Sequence, residues 1–253
     1  MADHAGRPPS VAATIASVAV VLVALVAVLA WNHSRSIEAY RPAGDVAAPG
    51  AHPPRSADPE ILARVGLVQA DVLPGYEVSL LDEGNELSQP TLDFCGLRFA
   101  SEADREARHQ VMTSDTSGEP ALSTEAVLYR DQAGAAQAMG EVRGMRGRCP
   151  SGPVQSPSVA TPSLEWRVRD ASTEGWPIAG GMDRVAMDVG VGRPGEDPDD
   201  ETVVYLRRGR LLLGIYFASA DGPQPVIQGR NVIRDIVGVF QQRVAALPAA
   251  DVA

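Results

Sequence analysis

The chain has 253 residues and a formal net charge of -10, and this length suits one domain with accessory segments. All 22 basic residues are arginine, and the lack of lysine excludes Schiff-base chemistry, a P-loop and a Ser-x-x-Lys acylating motif. Because residues 1–58 hold equal numbers of basic and acidic groups, the acidic excess lies in the remainder and opposes nucleic-acid binding.

An uncharged apolar block, residues 11–31, follows a short tail of residues 1–10. A helix of this length spans about 31 Å, which matches the roughly 30 Å hydrocarbon core of a bilayer. Trp31 lies where an interfacial aromatic residue is expected. The block therefore predicts a single membrane helix with the tail in the cytoplasm and the lipid bilayer as partner. The alternative is a cleaved signal peptide.

Residues 32–57 are rich in Pro, Ala and Gly and carry too little apolar content to fold. They predict a spacer that holds the next part of the chain away from the membrane. A globular domain is expected over residues 58–248, and residues 249–253 are expected to form a tail.

The globular part mixes predicted helices and strands. Helices are expected from Asp58, over 101–112, from Asp131 to Cys149, and from about Pro225 to Leu247. Strands are expected over 76–81, 91–95, 121–130, 164–169, 183–191, 202–207 and 210–219, with a hairpin turn at Arg208-Gly209. This order predicts an α+β fold in which helices pack on one face of an antiparallel sheet.

The chain has two cysteines, Cys95 and Cys149, and both lie in the globular part. A lone pair of this kind suits an oxidising compartment, so we expect a disulfide and an extracytoplasmic domain. Such a bond would stabilise the fold by about 4 kcal/mol in the chain-entropy model. The alternative is two unrelated buried thiols.

The sequence offers no recognisable catalytic or metal-binding motif, so we expect neither an enzyme nor a cofactor. His109 is the one histidine in the globular part, and no G-x-S-x-G elbow accompanies it. The acidic run at 196–201 lacks the spacing of an EF-hand loop. A hydrolase that uses unassigned carboxylates stays open as an alternative.

Several aromatic residues lie in or beside the predicted sheet and are candidates to line an apolar ligand pocket. They are Trp166, Trp176, Tyr205, Tyr216 and Phe217. The alternative is that they fill the core.

The segments DVLPGY, TLDFCG and STEAVLYR, with an Ala-rich helix ending in RCP, resemble a class of actinobacterial extracytoplasmic proteins. More remotely, they are similar to the extracellular sensor domain of mycobacterial PknH-type Ser/Thr kinases. The resemblance covers roughly residues 59–247 and implies an α+β domain with a ligand groove. That sensor domain has two disulfides, whereas this chain can form one, and the resemblance transfers no catalytic residue.

Together these features predict a membrane-anchored, extracytoplasmic binding or sensor-like domain. Its expected partner is a small or lipid-like ligand or an envelope protein. The alternatives are an envelope hydrolase and a purely structural envelope protein. If the protein is an enzyme, we expect a cleft where two acids converge with raised pKa values. If it is a binding module, we expect an apolar groove or patch.

Overall fold

A seven-stranded antiparallel sheet organises the computed structural model, which describes residues 58–154 and 164–253. The strands are β1 Glu77–Leu80, β2 Arg105–Ser114, β3 Pro120–Tyr129, β4 Glu165–Asp170, β5 Asp183–Gly192, β6 Asp199–Arg208 and β7 Leu211–Phe217. The helices among the described residues are α1 Asp58–Val65, α2 Gln132–Arg148 and α3 Ile233–Ala246. The predicted tail, membrane helix and spacer (1–10, 11–31 and 32–57) lie outside the described residues. Within the described part, no helix is both long and apolar enough to cross a membrane.

The strand order is β1-β2-β3-β7-β6-β5-β4, so the sheet consists of two meanders that meet at its centre. β3 and β7 join them in antiparallel register, from Leu122 opposite Phe217 to Leu128 opposite Leu211. Helix α2 makes the connection from the central strand β3 to the edge strand β4. The prediction of an antiparallel α+β fold is confirmed.

Both faces of the sheet are apolar and both are covered, so the expectation of helices on one face is wrong. Face A packs against α1 and α3, and its core includes Leu213 and Phe240. Face B packs against α2 and residues 85–99, which we call the cover loop, and its core includes Leu212 and Met139. The physical reason is that the central strands carry large side chains at successive positions, and each face must then be shielded from water.

Two element predictions between 91 and 112 are wrong. The segment expected as a polar helix over 101–112 is a short 3-10 turn, Ala100–Asp104, followed by strand β2. The segment expected as a strand over 91–95 is irregular and ends in the 3-10 turn Phe94–Gly96. In that turn Cys95 adopts a positive φ of 58°, a conformation that a strand cannot contain.

The remaining boundaries follow the predictions closely, apart from the last helix. Asp131 caps α2 by accepting a hydrogen bond from Gly134 N at 2.9 Å. The turn between β6 and β7 lies at Gly209-Arg210, one residue later than expected, and Gly209 has a φ of 57°. Helix α3 begins at Ile233 rather than near 225. Residues 249–251, expected as a tail, form a 3-10 turn, and Val252 is buried in the face A core.

Candidate functional site

The five aromatic residues singled out from the sequence do not share one pocket. Trp166, Tyr205 and Tyr216 lie on face B, where Phe94 of the cover loop contacts Trp166 and Tyr205 edge to face. The ring centroids of Tyr205 and Tyr216 are 6.0 Å apart. The other two are associated with face A, where Phe217 is fully buried and Trp176 packs at the margin.

A chain of polar groups runs across the buried face B from β6 to β2. The Tyr205 and Tyr216 hydroxyls are 3.1 Å apart, and the Tyr216 hydroxyl donates to Glu125 Oε2 at 3.1 Å. Glu125 also pairs with the buried Arg108, which donates to the Glu83 carbonyl at 3.0 Å. Burial raises the pKa of both tyrosines well above the usual range, so both hydroxyls stay protonated. This network satisfies its own members and is structural.

A disulfide and a partly buried carboxylate are among the contacts that hold the cover loop to the rest of the domain. Cys95 and Cys149 form the predicted disulfide, which ties the loop to the end of α2. Elsewhere in the loop, Glu102 accepts hydrogen bonds from Thr91 N at 2.9 Å and Leu92 N at 3.0 Å. Burial raises the pKa of Glu102 from 4.5 to about 7, although the Arg105 guanidinium at 3.0 Å and both backbone donors act to lower it.

His109, the histidine weighed as a catalytic residue, lies on β2 rather than on a helix. Its Nδ1 is 2.9 Å from Asn85 Oδ1, and burial lowers its pKa. Across the described ranges, no three His, Cys, Asp or Glu side chains are grouped so as to hold a metal ion. The expectation from the sequence that the protein binds no metal stays a prediction.

An open surface pocket of about 420 Å³ lies between the β4–β5 loop and the segment that joins β7 to α3. Its lining combines apolar and polar side chains with small residues. The lining residues are Trp176, Ala220, Gly222, Gln224, Asn231, Val232, Ile233 and Arg234.

The wall that carries Trp176 is held by side chains from the sheet and from α3. Arg184 on β5 donates to the Pro177 carbonyl at 2.8 Å, and its guanidinium lies 5.3 Å from the centre of the Trp176 ring. The buried Gln241 amide of α3, oriented to satisfy both neighbours, donates to Pro177 O at 3.0 Å and accepts from Ala179 N at 2.5 Å. These contacts fix the loop and hence the pocket wall.

The opposite wall is ordered by its own hydrogen bonds. Gln224 Nε2 donates to Ser219 O at 2.8 Å and to Gly222 O at 3.0 Å, which closes a tight loop. Ala220 N donates to Asp200 O at 2.8 Å and joins this loop to β6. Both walls of the pocket are therefore held by hydrogen bonds within the domain.

Of the residues that line the pocket, the sequence prediction included only Trp176. Asn231, Val232 and Arg234 fall in the segment that the sequence predicts as a regular helix from about 225, so the prediction does not place them in a pocket. The sequence does contain a signal against that assignment, since Pro223, Pro225 and Gly229 are turn-forming residues.

No family model matches this chain, and a search of curated proteins finds no match. Among solved structures, the chain is similar to the extracellular domain of PknH from Mycobacterium tuberculosis, with a TM-score of 0.41 and 10% identity over 78% of this chain and 100% of that chain. It is also similar to a putative uncharacterized protein, the Rv0999 ortholog from Mycobacterium smegmatis, with a TM-score of 0.40 and 12% identity over 79% of this chain and 98% of that chain. The remote resemblance to a PknH-type extracellular domain is confirmed. At these TM-scores the likeness does not extend to a ligand or an activity.

Proposed function

We propose that this chain is an extracytoplasmic, sensor-like binding domain and that the pocket at Trp176 holds a small ligand. The pocket carries the proposal, because its volume of about 420 Å³ falls in the range of small-molecule sites, roughly 300–1,000 Å³. It also combines apolar surface with a few polar groups, which is typical of such sites.

The extracytoplasmic placement is supported by the Cys95–Cys149 disulfide, because such bonds persist in oxidising compartments. The apolar block at 11–31, if it spans the bilayer, would hold the domain at the membrane surface with a spacer between them. An envelope protein is the second partner class in this proposal, since a domain held at the membrane surface faces the other proteins of the envelope.

The hydrolase alternative has less support. The partly buried Glu102 and the buried Glu125 are the acids with the most enclosed hydrogen bonds described above, and backbone N–H groups, Arg108 and Tyr216 already occupy their oxygens. General acid–base catalysis needs a carboxyl group within hydrogen-bond reach of a substrate. We therefore propose a binding role without catalysis.

The proposal is tested by filling the pocket of the full chain, purified from an actinobacterial envelope. Ala220→Trp places a large side chain in the lining, and Ala136→Trp adds the same group on the exposed surface of α2. Native mass spectrometry should find a removable small-molecule mass on the wild type and on Ala136→Trp, and should lose it on Ala220→Trp. The proposal would be contradicted if none of the three proteins carried a bound small molecule, or if all three carried the same one.

A further inference from the structure

The residues that line the pocket differ in charge from the chain as a whole. The formal net charge is -10, yet the described residues that line the pocket include Arg234 and no carboxylate. The guanidinium of Arg184, stacked on Trp176, adds a second positive group behind the same wall. Two of the 22 arginines therefore lie at a pocket whose lining has no carboxylate, and this favours an anion there.

Arg234 is available to a ligand, because its present partner holds it weakly. Its Nε is 3.2 Å from Oδ1 of the neighbouring Asp235, and the two side chains are 50% and 38% exposed. Exposed ion pairs of this kind contribute about 0–1 kcal/mol. A carboxylate or phosphate can accept two parallel N–H bonds from a guanidinium, which is a stronger contact.

The rest of the lining favours an apolar tail beside the anionic head. Val232 is 53% exposed, an unusual fraction for a large aliphatic side chain, and Trp176 and Ile233 are half-buried. Burying these side chains against a hydrocarbon chain removes apolar surface from water. The pocket thus has one cationic group and an adjoining apolar wall.

We propose that the pocket binds an amphipathic anion, with a carboxylate or phosphate head on Arg234 and a hydrocarbon tail on Trp176, Val232 and Ile233. This inference rests on the proposed function, since it names the ligand class for the same pocket. A carboxylate head would indicate a fatty-acid-like ligand, whereas a phosphate head would indicate a lipid headgroup or another organic phosphate.

The test uses the full chain in phosphatidylcholine vesicles, with Trp31→Phe and Trp166→Phe so that Trp176 is the sole tryptophan. Three probes of equal chain length are added: 8-bromooctanoate, 8-bromooctyl phosphate and 8-bromooctan-1-ol. Bromine quenches tryptophan emission on contact, so the signal reports occupancy beside Trp176. Arg234→Gln is compared with Arg193→Gln, which removes the same charge from an exposed loop outside the lining.

We expect the anionic probes to quench Trp176, and Arg234→Gln to raise their half-quenching concentrations roughly tenfold, as fits loss of one charge-assisted contact. Arg193→Gln should leave them unchanged, and neither change should alter quenching by the alcohol. The preferred head, carboxylate or phosphate, identifies the source. Quenching by all three probes with no effect of Arg234→Gln would overturn the ligand class and leave the binding pocket standing. Failure of every probe to quench Trp176 would overturn the pocket assignment itself.

Discussion

Glu102 shows how burial and bonding compete at a single side chain. The carboxyl group is 18% exposed, and it accepts two backbone hydrogen bonds from the cover loop beside the Arg105 guanidinium. Those partners favour the ionised form, but burial is the larger influence and raises the pKa to about 7. The folded protein therefore holds this proton up to a higher pH than the unfolded chain, in which the group titrates near 4.5.

A raised folded-state pKa makes the contribution of Glu102 to stability fall as pH rises. The contribution is complete below about pH 4.5 and is lost as pH rises through about 7, with a total of about 3 kcal/mol at most. We expect Glu102→Gln, which mimics the neutral form, to gain stability relative to the wild type between pH 5 and pH 8 in urea denaturation. His109 and the other titrating groups are common to both proteins and cancel in the difference. The opposite slope would show that Arg105 and the backbone donors outweigh burial.

The predicted aromatic residues divide between the two faces of the sheet. Tyr216 and Phe217 are adjacent in a predicted strand, and successive side chains of a strand point to opposite faces. The sequence therefore already implied that these two residues do not line the same pocket. The disulfide could be predicted from the sequence, because two cysteines allow one intramolecular pairing. Trp176 is among the predicted aromatic residues, but its neighbours in the pocket come from a distant loop, which no local pattern reveals.

At the scale of elements, β2 shows where local pattern fails. Its sequence begins after a capping-box pattern and is polar enough to suggest a surface helix, yet Ala107, Val111 and Thr113 alternate toward face A. Pairing with β1 on one side and β3 on the other outweighs the helical tendency. The sequence of β2 does show the two-residue alternation of a strand. The strand has too few large apolar residues for this alternation to stand out from the helical pattern.

The cover loop is irregular, and we expect the disulfide to be the main link that holds it to α2. The bond joins residues 54 positions apart, so the chain-entropy model gives a stabilisation of about 4 kcal/mol. Replacing both cysteines by alanine keeps a β-carbon at the positive φ of Cys95, so backbone strain is unchanged. We expect urea denaturation to show a loss close to this value for Cys95→Ala/Cys149→Ala, and the same loss for the wild type in reductant. If the free energy of unfolding fell by less than about 1 kcal/mol, the packing of the loop and its hydrogen bonds to Glu102 would be enough to hold it in place.

At the scale of the whole molecule, the two-sided sheet was the main feature that the sequence prediction missed. The strand β7, Leu211–Phe217, has large apolar side chains at successive positions, which is the pattern of a strand buried on both faces. That pattern was visible in the sequence, but it does not say which helix covers which face. The pairing of β3 with β7, far apart in sequence, decides the arrangement, and only tertiary contacts determine it.

Arg210, at the turn between β6 and β7, connects parts of the domain that are distant in sequence. Its guanidinium lies 2.6 Å from Asp58 at the start of α1 and 3.2 Å from Glu106 on β2, and it donates to the Tyr129 carbonyl of β3 at 3.1 Å. The Arg210 and Asp58 side chains are 1% and 0% exposed. The Arg210 backbone N–H also donates to Val252 O at 2.8 Å. Both ends of the domain therefore meet at this turn.

Removing one partner of a buried ion pair leaves the other charge without compensation, which typically costs about 3–5 kcal/mol. Because Glu106 remains beside Arg210, we expect Asp58→Asn to lower the free energy of unfolding by an amount near the lower end, about 3 kcal/mol. The matched control is Asp251→Asn, which removes the exposed pair with Arg64 and should cost less than about 1 kcal/mol. Urea denaturation at one pH measures both variants. Equal small losses would show that Asp58 does not hold the start of the domain to the sheet, whereas the expected difference would place the anchoring of α1 in this buried pair.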